Sequence, residues 1–182
     1  MENTTLTGRP ERASDSADDA VREHHDRFQL IVFKLGAEEY AIHIDQIKEV
    51  VLTPRITKMP QTPLHVRGVA NVRGSVLAIL DLEEKFGIRR DTTSQDTANY
   101  TLVAAHRDFN VGILVKEVPN TLTVAAGDIE ESVNVVPDTE AHGNYVLGIV
   151  KSDERLIVLM DLVRIMQTHA PNEVVPKASV HS

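Results

Sequence analysis

Two aspartates occupy matching points in the chain: Asp81 and Asp161 each follow an apolar run and each precede a leucine. Paired carboxylates supplied by duplicated halves are the machinery of aspartic proteases, where close like charges share one proton. That chemistry needs a tight Asp-Thr/Ser-Gly turn around each carboxylate. Here the following residues are Leu82-Glu83 and Leu162-Val163, so no such turn is encoded. An Asp placed between a buried strand and a short amphipathic run is instead a helix N-cap. Asp81-Leu82-Glu83-Glu84 has the spacing of a capping box, and Gly87 stands where that helix would stop.

The remaining reactive side chains are no better grouped. His24-His25-Asp26 reads as solvated charge at the end of a polar arm, and His43 lies on the alternate face of a strand. His65, His106, His142 and His169 are isolated, without HxxxH or HExxH spacing. There is no cysteine, so thiolate ligands, disulfides and Cys nucleophiles are excluded. No Ser sits in G-x-S-x-G, and neither phosphate-cradling glycine pattern is present. The residues therefore imply no enzyme, no metal and no cofactor. A net charge of −8, with aromatic residues at 4% and no Trp, argues against a nucleic-acid surface, which needs positive charge and stacking faces.

These residues must be positioned by strands. The 182-residue chain is 42% hydrophobic, enough for a real core, yet no apolar run reaches the ~18 residues of a membrane helix, so a cytoplasmic protein is expected. Residues 1–27 read as a disordered arm, 168–182 as a flexible tail, and 89–98 (RRDTTSQDTA) as a polar linker. Residues 28–35 and 39–44 read as a hairpin, with Tyr40, Ile42 and Ile44 alternating against Ala41 and His43. Asp45 is expected to cap a helical turn over DQIKEV before the chain extends through RITKMP. GVANV and SVLAIL read as a second hairpin around Arg73-Gly74.

A displacement of 80 residues lays Gly68 on Gly148, Val76-Leu77 on Leu156-Ile157, and Asp81-Leu82 on Asp161-Leu162 without a gap. A displacement of 71 or 72 lays Leu30 on Leu102 and Ile42 on Ile113. The chain thus reads as two β-rich halves of one design, roughly 28–92 and 99–166 with room for interleaving. Each half has the size of a small closed barrel, which leaves no exposed sheet edge. The charged tip Asn71-Val72-Arg73-Gly74 between apolar strands reads as a hairpin turn, or as a protein-binding point if apolar surface adjoins it.

The run FQLIVFKLGAEEYAIHIDQIKEVV, followed by ITKMPQTPLHVRGVANVRGSVLAILDLEEKFGI, resembles the CheW-type coupling proteins of bacterial chemotaxis. The shared features are Leu35-Gly36, Glu39-Tyr40, Ile47 with Glu49, Pro63, Gly68-Val69, Asn71 to Gly74, and Asp81-Leu82, with Ala41 and Val72 as mild departures. The likeness spans residues 28 to 166 and is weaker in the second half. It implies an all-β fold of two SH3-like five-stranded barrels with short helical turns. It also implies an adaptor without catalysis, bridging the cytoplasmic tips of chemoreceptors to the regulatory domain of a CheA-type histidine kinase. The membrane would be reached only through those receptors. Carried onto this sequence, Arg73, Asn71 and Glu49 become polar members of the partner surfaces, and Ile47, Gly68 and Val76 apolar or close-packing ones. Arg73 and Glu49 are expected to form an ion pair. An adaptor of a non-flagellar chemosensory-like pathway, or a nucleic-acid-binding barrel, are the alternatives.

Overall fold

A computed structural model describes residues 27–88, 99–131 and 145–167. The arm as far as Asp26, the segment 89–98 and the tail from Thr168 lie outside the described residues. Among the described residues eleven strands run in the order β1 (Arg27–Leu35), β2 (Glu38–His43), β3 (Ile47–Leu52), β4 (Val66–Val72), β5 (Ser75–Leu80), β6 (Tyr100–Ala104), β7 (Val111–Val115), β8 (Asn120–Ala125), β9 (Ile129–Glu131), β10 (Val146–Ser152) and β11 (Arg155–Met160). Short helices α1 (Leu82–Lys85) and α2 (Leu162–Gln167) follow β5 and β11, and 3-10 turns occupy Ile44–Gln46 and Ala126–Asp128.

The strands form two sheets, ordered β8-β1-β2-β11-β10-β9 and β3-β6-β7-β5-β4. Each is a subdomain with its own core. Leu30, Val32, Ala41, Val124, Val150, Ile157 and Leu159 fill the first, and Ala70, Val72, Leu77, Ile79, Val103 and Leu114 fill the second. A third, larger cluster lies between them and includes Phe33, Leu35, Ile42, Leu80, Leu102, Ile113, Met160 and Ile165. The strands of the junction are therefore covered on both faces. β1 sends Leu30 and Val32 into its own barrel and Ile31, Phe33 and Leu35 into the junction. That explains why QLIVF, YTLVA and VGILV are continuous apolar runs where a half-buried strand would alternate. It also corrects the reading of β2, because Ala41 and Ile42 are both fully buried.

The duplication is visible in three dimensions. β4 and β10 begin and end 80 residues apart, and both carry a register shift, between Val66 and Gly68 and between Val146 and Gly148. The two parallel ladders match as well: Leu80 pairs with Ile113, and Met160 with Ile42. The barrels do not coincide with the sequence halves, however. The second barrel is continuous, from β3 to β7, whereas the first takes β1 and β2 from one end of the chain and β8 to β11 from the other. Among the described residues two segments cross between them, the turn Ile44–Gln46 and residues 116–119.

Two local expectations are corrected. The helical turn of DQIKEV is confined to Ile44–Gln46, its N-cap position is His43, and no side chain caps it. The β-branched residues that follow pair instead with β6, Ile47 with Ala104 and Val51 with Thr101. RITKMP contributes one isolated bridge, Thr57 with Val69, before Pro60 and Pro63 stop the ladder. Both aspartates are caps. Asp81 accepts the amide of Glu84 at 3.2 Å, and Asp161 accepts those of Val163 and Arg164 at 2.8 and 3.2 Å.

Candidate protein-binding site

The β4–β5 hairpin turns through two residues, Arg73 with φ 50° and Gly74 with φ 86°. Two successive positive φ values define the type I′ turn that suits the twist of a tight hairpin. Asn71 holds it, its Oδ1 accepting the Gly74 amide at 2.9 Å. The turn fixes where Arg73 points. Its Nε donates to Glu49 Oε2 at 2.9 Å, with the Arg73 side chain 77% exposed and that of Glu49 21% exposed. The expected ion pair is therefore present and links the hairpin tip to β3. It engages one of the five N–H donors of the guanidinium.

Apolar surface is carried by the same two elements. Val76, the cross-strand partner of Asn71, is 59% exposed, and on β3 Val50 is 40% and Leu52 72% exposed. An arginine on a rigid turn, with apolar side chains on the strands that carry it, has the composition of an interface core and its anchor.

Four of the six singled-out residues, Arg73, Asn71, Glu49 and Val76, thus belong to the tip and the strand tied to it. The other two are interior. Ile47 is buried in the junction cluster. Gly68 has φ 138°, and a Cβ there would fall 2.2 Å from the Thr57 carbonyl oxygen. Both therefore present little surface, Ile47 being 8% exposed and Gly68 having no side chain. The exposed Val50 and Leu52 lie on a strand where the sequence predicts a helical turn and its exit. Leu156, 65% exposed on the second hairpin, is a further surface residue not singled out in the sequence, though it lies 80 residues after Val76 and was within reach of the repeat.

The second tip shares one positive φ with the first and has opposite chemistry. Asp153 takes φ 53° where Arg73 stands in the first half, and Glu154 replaces Gly74. Beside it, Arg155 pairs with Glu39 at 3.2 Å and Lys151 with Glu130.

The junction between the barrels has two unlike ends. At one, Glu83 is buried, accepting the Gly36 amide at 2.9 Å and pairing with Lys116 Nζ at 3.0 Å. Tyr40, Phe86 and Tyr145 stack beside α1, with neighbouring centroids 6.5 and 4.9 Å apart. Burial pushes both phenol pKa values above the usual 10, and for Tyr40 the nearby Glu38 carboxylate adds to the effect. At the other end Gln46 bridges to α2, donating to Asp161 Oδ1 at 3.2 Å and accepting the Leu162 amide at 3.1 Å. A cavity of about 230 Å³ lies there, lined by Gln46, Ala104, Phe109, Val163 and Met166 among others. Among the described residues no group of three or more His, Asp or Glu could hold a metal, and no helix is long and apolar enough to cross a membrane.

The sequence pattern of the CheW-like domain matches residues 29–170, most of the chain and both barrels. The chain belongs to the CheW-like family. It is 32% identical over 153 residues to the chemotaxis protein CheW of Helicobacter pylori, covering 84% of this chain and 89% of that one. It is 33% identical over 135 residues to a probable CheW of Rhizobium etli, covering 74% and 84%. The crystal structure of the scaffolding protein TtCheW from Thermoanaerobacter tengcongensis superposes with a TM-score of 0.69 at 28% identity, over 81% of this chain and 97% of that one. As a CheW-like protein it is a chemotaxis scaffold, and the two-barrel fold is the family's.

Proposed function

We propose that this CheW-like chain is a cytoplasmic adaptor that couples the tips of chemoreceptors to the regulatory domain of a CheA-type histidine kinase and catalyses no reaction itself. The observation that carries this reading is the match to scaffolding relatives over both barrels, with nearly the whole of TtCheW covered. The tip of the first barrel is the proposed kinase- or receptor-facing point. Arg73 supplies the anchor, Glu49 and Asn71 hold it in position, and Val76 supplies apolar contact. Ile47 and Gly68 support that surface from beneath. Reversible assembly suits a small interface with few anchors.

The test is co-sedimentation of receptor, adaptor and kinase with Arg73→Ala, run beside circular dichroism of the variant. An exposed ion pair contributes only ~0–1 kcal/mol to stability, so the fold should be retained. An interface arginine is worth ~2 kcal/mol or more in binding, so assembly should weaken at least ~30-fold. Wild-type assembly by the folded variant would return the tip to an ordinary hairpin turn.

A further inference from the structure

The two segments that cross between the barrels are each fastened to a helix cap region, but by different chemistry. Lys116, in one crossing, pairs with buried Glu83 of α1. Gln46, in the other, holds Asp161 and the Leu162 amide at the start of α2. The helices are equivalent, 80 residues apart, and both bury a leucine in the junction, Leu82 and Leu162. The Glu83–Lys116 contact joins two full charges, whereas Gln46 offers the Asp161 carboxylate a neutral amide, and Glu83 makes a second attachment, to the β1–β2 turn at Gly36. Val163 stands where Glu83 would be and makes no such tie. Beside it lies the 230 Å³ pocket, so among the described residues α2 faces open space on that side.

We propose that the junction is a latch that opens at one end: α2 releases from the Gln46 crossing while α1, held by Glu83 and Lys116, stays closed. The crossings lie on the two sides of β1, one beyond β2 and one before β8, so release at one leaves the other as the pivot. In an adaptor this gives the two barrels one defined way to shift when a partner docks. That purpose rests on the adaptor reading, whereas the motion itself does not.

Hydrogen exchange on the full, unmodified chain tests it with a matched pair of amides. Lys85 N donates to Asp81 O and Ile165 N to Asp161 O, both at 3.0 Å. Ile165 is fully buried and Lys85 is not, so static burial alone predicts the slower exchange at Ile165. The latch predicts the reverse: after correction for intrinsic rates, Ile165 exchanges at least about tenfold faster than Lys85, through local opening. Gln46→Ala should speed Ile165 further and leave Lys85 unchanged. Equal rates, a slower Ile165, or a common acceleration of both amides in Gln46→Ala would each overturn the proposal, because the junction would then open as a whole.

Discussion

Gly68→Ala tests the way the second barrel closes. At this position the chain approaches the extended segment before β4 so tightly that a Cβ would sit 2.2 Å from Thr57 O and 2.8 Å from its carbonyl carbon. Those atoms are backbone and cannot rotate away. The bridge they form consists of two hydrogen bonds, Thr57 N to Val69 O at 2.8 Å and Val69 N to Thr57 O at 2.9 Å. Pushing the segments apart loses both, at ~0.5–1.5 kcal/mol each. The φ of 138° adds strain of ~1–2 kcal/mol for an L side chain. Together the loss is ~2–5 kcal/mol, which for a chain of this size lowers the thermal midpoint by roughly 4–20 °C. Gly148→Ala is the internal comparison. Its Cβ would meet Glu130 O at 2.4 Å on the equivalent bulge, but its backbone lies outside the positive-φ region, so the strain term drops out. A loss of ~1–3 kcal/mol is expected. Thermal unfolding by circular dichroism measures both. A Gly68→Ala midpoint within about 3 °C of wild type would refute the reasoning, since the close approach would then be one the chain relaxes without cost.

Asp81→Asn should unfold at nearly the wild-type midpoint, since Asn caps a helix as well as Asp, whereas Asp81→Ala should lose ~0.5–2 kcal/mol; a folded but binding-defective Asp81→Asn would reveal a functional carboxylate. Glu83→Ala removes the acceptor of the Gly36 amide and leaves Lys116 without its partner, so a loss of ~1–3 kcal/mol is expected in urea unfolding, and a neutral result would show the pair to be dispensable. The raised phenol pKa values of Tyr40 and Tyr145 favour the neutral form in the folded state. Their stabilisation is full below ~10, the unfolded value, and is lost as pH rises through the higher folded values. Tyr145→Phe should therefore flatten the fall of the thermal midpoint above pH ~10, and an unchanged alkaline slope would locate that fall elsewhere.

Features set by short-range chemistry were legible in the sequence. The Arg73-Gly74 turn, the Asp81 and Asp161 caps and the repeat that lays Gly68 to Leu82 on Gly148 to Leu162 depend on residues a few positions apart, and each is where the sequence placed it. Features set by pairing partners were not. Nothing local to β3 says that it will lie against β6, so Asp45 to Val50 read as a helical turn until the ladder with Ala104 and Val103 was seen. Ala41 read as surface because alternation assumes one covered face, and β2 has two. Ile47 and Gly68 carried a family signal that does not distinguish contact with a partner from support of the contacting surface, and nothing in the sequence showed that both are buried. The exposed Val50 and Leu52 were hidden by the same misreading of β3.

The division of the chain between the barrels also sets an order of events during synthesis. Residues 47–115 contain every strand of the second barrel, so its contacts are local and form early. The first barrel cannot close until β11 has been made, because β2 waits for Ile157 to Met160 and β1 for β8. Meanwhile the opening hairpin carries Leu30 and Val32 on one face and Ile31 and Phe33 on the other, with both of its outer edges unpaired. Such a segment is a template for pairing with neighbouring chains. The interval between residues 43 and 160 on the ribosome is thus the period of greatest aggregation risk, and the early middle barrel, which offers β1 and β2 a surface to rest their junction face on, shortens the exposure of half of that hairpin.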